Sequence, residues 1–200
     1  MDSTKQLTDY DYWQQLRRGS ASALEALYDQ FFPQLFRYGV QLIPDRALVQ
    51  DTLQDLFVEL YTDHATLSDV QQVRPYLYVC FRRKLLARSK TKSIFKENYS
   101  SLFTPSHEHQ LILQQLSQEQ IQWLNMALKK LSTRQKEAVF LRFYEEMSYE
   151  EIASVLHLKK VKYARTLVYR AIEHLRQHLK QEESTLTLYS SFPWYIFIKV

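Results

Sequence analysis

Apolar residues return every third or fourth position through most of the stretch from Trp13 to Leu179, the period of an α-helix with one buried face. The pattern predicts helices at roughly 10–18, 22–43, 45–63 and 73–88, and a second set at about 117–130, 133–145, 149–156 and 160–180. Start signals fall close to these beginnings. Ser22 with Glu25, Ser132 with Gln135 and Ser148 with Glu151 have capping-box spacing, in which two side chains satisfy backbone N–H groups that the first turn leaves free. Asp45, after Pro44, is placed to cap the third helix. Pro33 has no N–H to give and is expected to bend the second. On the third helix Val49, Leu53, Leu56 and Leu60 make an apolar stripe.

Ser89 to Gln110 separates the two sets. It is rich in Ser, Thr, Lys and His, contains Pro105 and keeps no period, so it reads as a linker. The expectation is an all-α chain of two small helical domains, at 10–90 and 117–180, joined by a flexible linker at 91–116 and followed by an apolar tail at 181–200. Domains this small have thin cores. In the tail, Leu186 to Val200 carries only one charged side chain, Lys199. The stretch is shorter than the roughly 20 apolar residues of a membrane span. Its β-branched and aromatic content favours extended structure. Left open, Trp194 to Ile198 would be prone to aggregate, so the tail either docks on an apolar groove, is held by a partner, or frays without a role.

Composition narrows the chemistry. With two glycines, Gly19 and Gly39, the chain cannot build a glycine-rich phosphate loop. Cys80 is the only cysteine, which excludes a disulfide framework and a CxxC zinc motif and fits a reducing cytoplasm. Met1 to Asp11 is polar and acidic, unlike a secretory leader. His174 and His178 stand at i, i+4 with no third ligand in view, and His107-Glu108-His109 falls in the linker, so no metal site is expected. Cys80, among Leu77, Val79 and Phe81, reads as a core thiol. No nucleophile–base set or carboxylate pair stands out. The expectation is a protein with no catalytic site and no cofactor.

The formal net charge is only +4, but the charges are sorted. Arg82 to Lys96 holds seven basic residues and no acid; His157 to Lys180 holds seven against Glu173 alone. Between Asp45 and Asp63 the sign reverses, with Asp51, Asp55 and Glu59 at i, i+4. Like charges at that spacing cost a few tenths of a kcal/mol per pair. Either a basic partner or the cluster at Arg82–Arg88 would compensate them. One basic run in each half looks like two contacts with one polyanion.

The strongest local pattern runs from Ser148 to Leu179. A short capped helix ends at a tight turn, His157-Leu158-Lys159, and a longer helix follows, which is the layout of a helix-turn-helix. Such turns often need a left-handed residue, a conformation His tolerates better than most. At 100° per residue Val161, Ala164, Leu167, Val168, Ala171, Ile172 and Leu175 share one face of the second helix. Lys159, Lys160, Lys162, Tyr163, Arg165, Thr166, Tyr169 and Arg170 are left as the DNA-binding candidates, since Arg and Lys contact phosphates and guanine edges, and Thr and Tyr reach phosphates or thymine methyls. A solvated amphipathic helix fits the same spacing; the capped helix and turn before it favour DNA.

At this point the residues resemble a known family. Leu131-Ser132-Thr133-Arg134-Gln135-Lys136-Glu137-Ala138-Val139-Phe140-Leu141-Arg142-Phe143-Tyr144, followed by Ser148-Tyr149-Glu150-Glu151-Ile152-Ala153, is similar to region four of the sigma-70 family of RNA polymerase sigma factors, in particular the compact extracytoplasmic-function group. Ala26 to Tyr38 resembles the start of sigma region two, Asp51 to Phe57 its core-binding segment, and Tyr76 to Arg83 its promoter-melting helix, with Arg83 where many members have Asn.

The resemblance covers about 10–90 and 117–180. It implies a transcription initiation factor without enzymatic activity. Its implied partners are core RNA polymerase, through the clamp helices and the flap, promoter DNA, and in some members an anti-sigma factor. It implies polymerase contacts at Asp51, Leu53, Gln54, Asp55 and Phe57, and contacts to melted promoter DNA at Arg82, Arg83, Lys84 and Arg88. Tyr76, Tyr78 and Phe81 interleave with that cluster; exposed aromatics stack on unpaired bases, but at this spacing Tyr78 and Phe81 suit a core better. Outside the family, the same layout would serve a self-sufficient helix-turn-helix repressor or activator, or a helical adaptor for acidic proteins.

Overall fold

The computed structural model describes residues 7–89 and 126–181, with side chains as far as Gln177. The described residues are helical, without strands, and form two compact units. The expected linker at 91–116, the tail, and most of the helix expected at 117–130 lie outside them.

The N-terminal unit contains α1 (Asp9–Arg17), α2 (Ala21–Leu42), α3 (Arg46–Thr62) and α4 (Val73–Arg88), with a single 3-10 turn at His64–Thr66. The first three starts have a chemical cause. Thr8 and Asp11 form a capping box at α1 that uses Asp in place of the usual Glu or Gln. Asp45 accepts from the Leu48 amide at 3.0 Å and caps α3 as expected. The cap of α2 is Ser20, which accepts from the Ala23 amide; Ser22 lies inside the helix, so the expected Ser22–Glu25 box does not form. Helix α2 also runs unbroken past Pro33, whose ring is exposed.

The buried faces meet in a core that includes Trp13, Leu27, Phe31, Leu35, Tyr38, Leu77, Tyr78, Phe81 and Leu85. The stripe Val49, Leu53, Leu56 and Leu60 is buried as its spacing requires. At Gly39 the helices come so close that a Cβ would stand 2.7 Å from Phe81 and from Val49. The connection into α4 is tied to α1. Trp13 Nε1 donates to the Ser68 carbonyl at 3.0 Å, Arg17 Nε to that of Leu67 at 2.9 Å, and Gln14 Nε2 to Asp69 at 2.6 Å.

The second set of helices is α5 (Thr133–Val139), a π-helical turn at Phe140–Tyr144, α6 (Tyr149–Val155) and α7 (Val161–Gln181); the C-terminal unit takes in all of it but residues 154–157. The boxes Ser132–Gln135 and Ser148–Glu151 both close. The helix expected at 133–145 is thus α-helical only in its first half. Beyond it the Glu145 amide donates to the Phe140 carbonyl and the Met147 amide to that of Leu141 at 2.9 Å. Glu146, at φ +52°, then turns the chain toward α6. Ala138, Leu141, Met147, Ile152, Ala164, Val168, Ala171 and Leu175 are buried in the C-terminal unit, as are Leu128 and Leu131.

Candidate nucleic-acid interface

His157 closes the turn between α6 and α7 at φ +51°, the left-handed geometry that the sequence pattern requires there. Helix α7 then buries Ala164, Val168, Ala171, Ile172 and Leu175, with Val161 and Leu167 half-buried. The candidates of that helix and of the turn before it stay outside the core. Lys159, Lys160, Lys162, Tyr163, Arg165, Thr166, Tyr169 and Arg170 are all exposed, Tyr169 by 66% of its surface. No acid lies between Lys159 and Arg170, so the face is uniformly positive.

Local contacts shape what these side chains offer. Thr166 Oγ1 donates to the Lys162 carbonyl at 2.8 Å, so in this rotamer it has no proton left for a phosphate oxygen. Lys162 Nζ lies 5.5 Å from the Tyr163 ring centre. The Arg165 guanidinium lies 5.3 Å from the centre of the Tyr149 ring, and that of Arg142 lies 4.9 Å from the same ring.

In the N-terminal unit the second basic cluster occupies the end of α4. Arg83 and Arg88 are exposed; Arg82 and Lys84 are half-buried. Lys84 pairs with Glu59 and Arg88 with Asp55, so acids of α3 compensate these two bases. The aromatics of α4 are packed. Tyr78 and Phe81 are fully buried, and Tyr76 meets Trp13 edge-on at 5.2 Å. Burial, helped by the neighbouring Cys80, pushes the Tyr76 hydroxyl up to about 12, against a smaller opposing pull from Arg83. Burial also pushes the Cys80 thiol up, which keeps it protonated and fits a packing role.

On α3, Asp51 and Gln54 are exposed and Asp55 is half-buried. Leu53 is fully buried as part of the apolar stripe that packs the bundle, and Phe57 is 3% exposed, reaching the surface only at the floor of a groove. The exposed side holds two residues that the sequence reading passed over. Val58 is 63% and Tyr61 41% exposed, and with Leu24, Tyr28, Gln54, Phe57 and Thr62 they line an apolar groove. Their spacing from Gln54, four and then three residues, is the signal that would have found them.

Comparison with known proteins agrees with this layout. Residues 121–175 match the family model for sigma-70, region 4. Beyond that segment the chain is similar to the extracytoplasmic-function RNA polymerase sigma factor SigM of Bacillus subtilis, 21% identical over 160 residues that cover 76% of this chain and 93% of SigM. It is likewise 24% identical to the B. subtilis RNA polymerase sigma factor YlaC, over 78% of this chain and 92% of YlaC. The RNA polymerase sigma-E factor of Streptomyces avermitilis is 27% identical, over 74% of this chain and 80% of that protein. Among solved structures, CnrH in complex with the cytosolic domain of CnrY superposes with a TM-score of 0.58 at 20% identity, covering 86% of this chain and 97% of that one; this likeness concerns the fold alone. Residues 121–175 thus match sigma-70 region 4, and over about three quarters of its length the chain is similar to RNA polymerase sigma factors, SigM of the extracytoplasmic-function group among them.

Proposed function

We propose that this protein is the promoter-specifying subunit of RNA polymerase for a limited set of genes, and that α7 reads the minus-thirty-five element in the major groove. The observation that carries the reading is the outer face of α7, an acid-free row of exposed Lys, Arg and Tyr set on a capped helix and a left-handed turn. An α-helix fits the major groove of B-DNA, where Arg and Lys meet guanine edges and phosphates. On this reading Arg82, Arg83, Lys84 and Arg88 of α4 follow the melted strand near minus ten. Asp51, Gln54 and Asp55 of α3, with Val58 beside them, meet the polymerase clamp helices. The protein performs no bond chemistry; it binds and positions. Its place of action is the cytoplasm, where polymerase and promoters are. Among the described residues no helix is long and apolar enough to cross a membrane.

The test is run-off transcription of genomic fragments by core polymerase with and without the chain. Discrete start sites that depend on the chain, and that are lost with Lys162→Ala or Arg170→Ala, support the reading. Loss of a base-edge contact costs about 1–3 kcal/mol and relaxes one promoter position. Unchanged start sites and salt dependence in both variants would show that the basic face of α7 only meets solvent.

A further inference from the structure

Three residues far apart in sequence converge beside the reading face. Arg142 sits in the π-helical turn, Tyr149 is the first residue of α6, and Arg165 lies in the second turn of α7. Arg142 is fixed: its Nη1 donates to the Met147 carbonyl at 2.9 Å, and its guanidinium lies 4.9 Å from the Tyr149 ring centre. The backbone of Tyr149 is set as well, because the Ser148–Glu151 box closes the first turn of α6. Arg165 is exposed, and its guanidinium lies 5.3 Å from the same ring centre.

Tyr149 is half-buried and is not on the reading face, so no tally of DNA-facing residues on α7 includes it. We propose that Tyr149 is a positioning residue for promoter recognition, its ring holding the Arg165 guanidinium ready for DNA. The proposal rests on the reading of α7 as the DNA-facing helix. A free arginine on a helix surface samples many rotamers, and ordering it on binding opposes affinity. A guanidinium held over an electron-rich ring has made part of that choice beforehand. The π turn is what delivers Arg142 to the ring, so a departure from regular helix becomes part of the reading apparatus.

The experiment measures promoter affinity of the holoenzyme on a duplex recovered by run-off transcription, for the full chain and its variants. Tyr149→Leu should weaken binding by about two- to fivefold, the range of an exposed cation–π contact. Tyr149→Phe, which keeps the ring, should restore it. In an Arg165→Ala background Tyr149→Leu should add nothing. Where Tyr149→Leu lowers the melting temperature, phenylalanines of increasing fluorination at position 149 keep the shape and drain the ring face; affinity should then fall stepwise. Equal loss from Tyr149→Leu with and without Arg165, or no response to fluorination, overturns the positioning role. If Lys162→Ala and Arg165→Ala are both silent, the DNA-facing reading of α7 fails and the role of Tyr149 fails with it. If they weaken binding while the ring series is flat, only the role of Tyr149 is lost.

Discussion

His157 and Glu146 hold the two left-handed backbones other than glycine among the described residues, and each ends a helical segment. The first was legible in the sequence because a helix-turn-helix needs such a residue at a known place. The second was not, since Glu carries no mark of that conformation. For a residue with a side chain the left-handed region costs about 1–2 kcal/mol, while glycine loses roughly 0.5–1 kcal/mol of chain entropy on folding. His157→Gly should therefore raise stability by up to about 1 kcal/mol, and His157→Val should lower it, as the midpoint of urea unfolding will show. Tyr76 makes a pH prediction. Its hydroxyl stands at about 12 in the fold against an ordinary 10.0. The unfolded chain sheds that proton first, so this contribution is fully present below pH 10 and declines as pH rises toward 12. Tyrosinate absorbance of the native protein and of Tyr76→Phe should differ by one group that titrates near 12 rather than 10.0.

Helices α1 to α4, α6 and α7 were legible within a residue or two, because each carries an apolar face at helical spacing, and α3 and α6 a start signal as well. The misses follow from what periodicity does not encode. Ser20 and Ser22 both precede apolar residues, and only the backbone decides which one caps. The π turn keeps Phe140 and Leu141 buried, so its wider hydrogen bonding leaves no trace in the pattern. At the site, a family motif mixes residues that build a helix with residues the helix presents, which is how Leu53 and Phe57 came to stand beside Asp51 and Gln54. Two variants test the elements. In Gly39→Ala a methyl meets buried Phe81 and Val49 at 2.7 Å. Overpacking costs about 1–3 kcal/mol, more than the roughly 1 kcal/mol gained in helix propensity. A net loss in unfolding free energy is expected. The double change Asp51→Lys, Gln54→Lys leaves the Asp55–Arg88 pair intact and alters only exposed positions. Melting temperature should stay put while co-purification with core polymerase is lost. Retained co-purification would remove this face from the polymerase contact.

At the scale of the molecule, the sorting of charge showed most in the sequence and changed most in the structure. The basic run at Lys159–Arg170 stands free of acids, as its spacing suggested. The run at the end of α4 is compensated by α3 at Lys84 and Arg88, which meet Glu59 and Asp55 one helix away, a pairing that linear sequence does not display. On the proposed reading the two runs are therefore expected to weigh unequally in DNA binding. Lys162→Ala and Arg170→Ala should each lower the salt dependence of promoter binding by about one unit where they touch phosphates. Lys84→Ala should change it less, because Lys84 already has a partner.

The most direct test of the sigma-factor reading is the affinity for one promoter duplex, measured in physiological salt with and without core RNA polymerase. The chain alone should bind weakly and with little sequence preference, in the range of about 10⁻⁴–10⁻⁶ M typical of non-specific contacts, and should become specific only in the holoenzyme. Specific nanomolar binding by the chain alone would contradict that reading and make the protein a self-sufficient DNA-binding regulator.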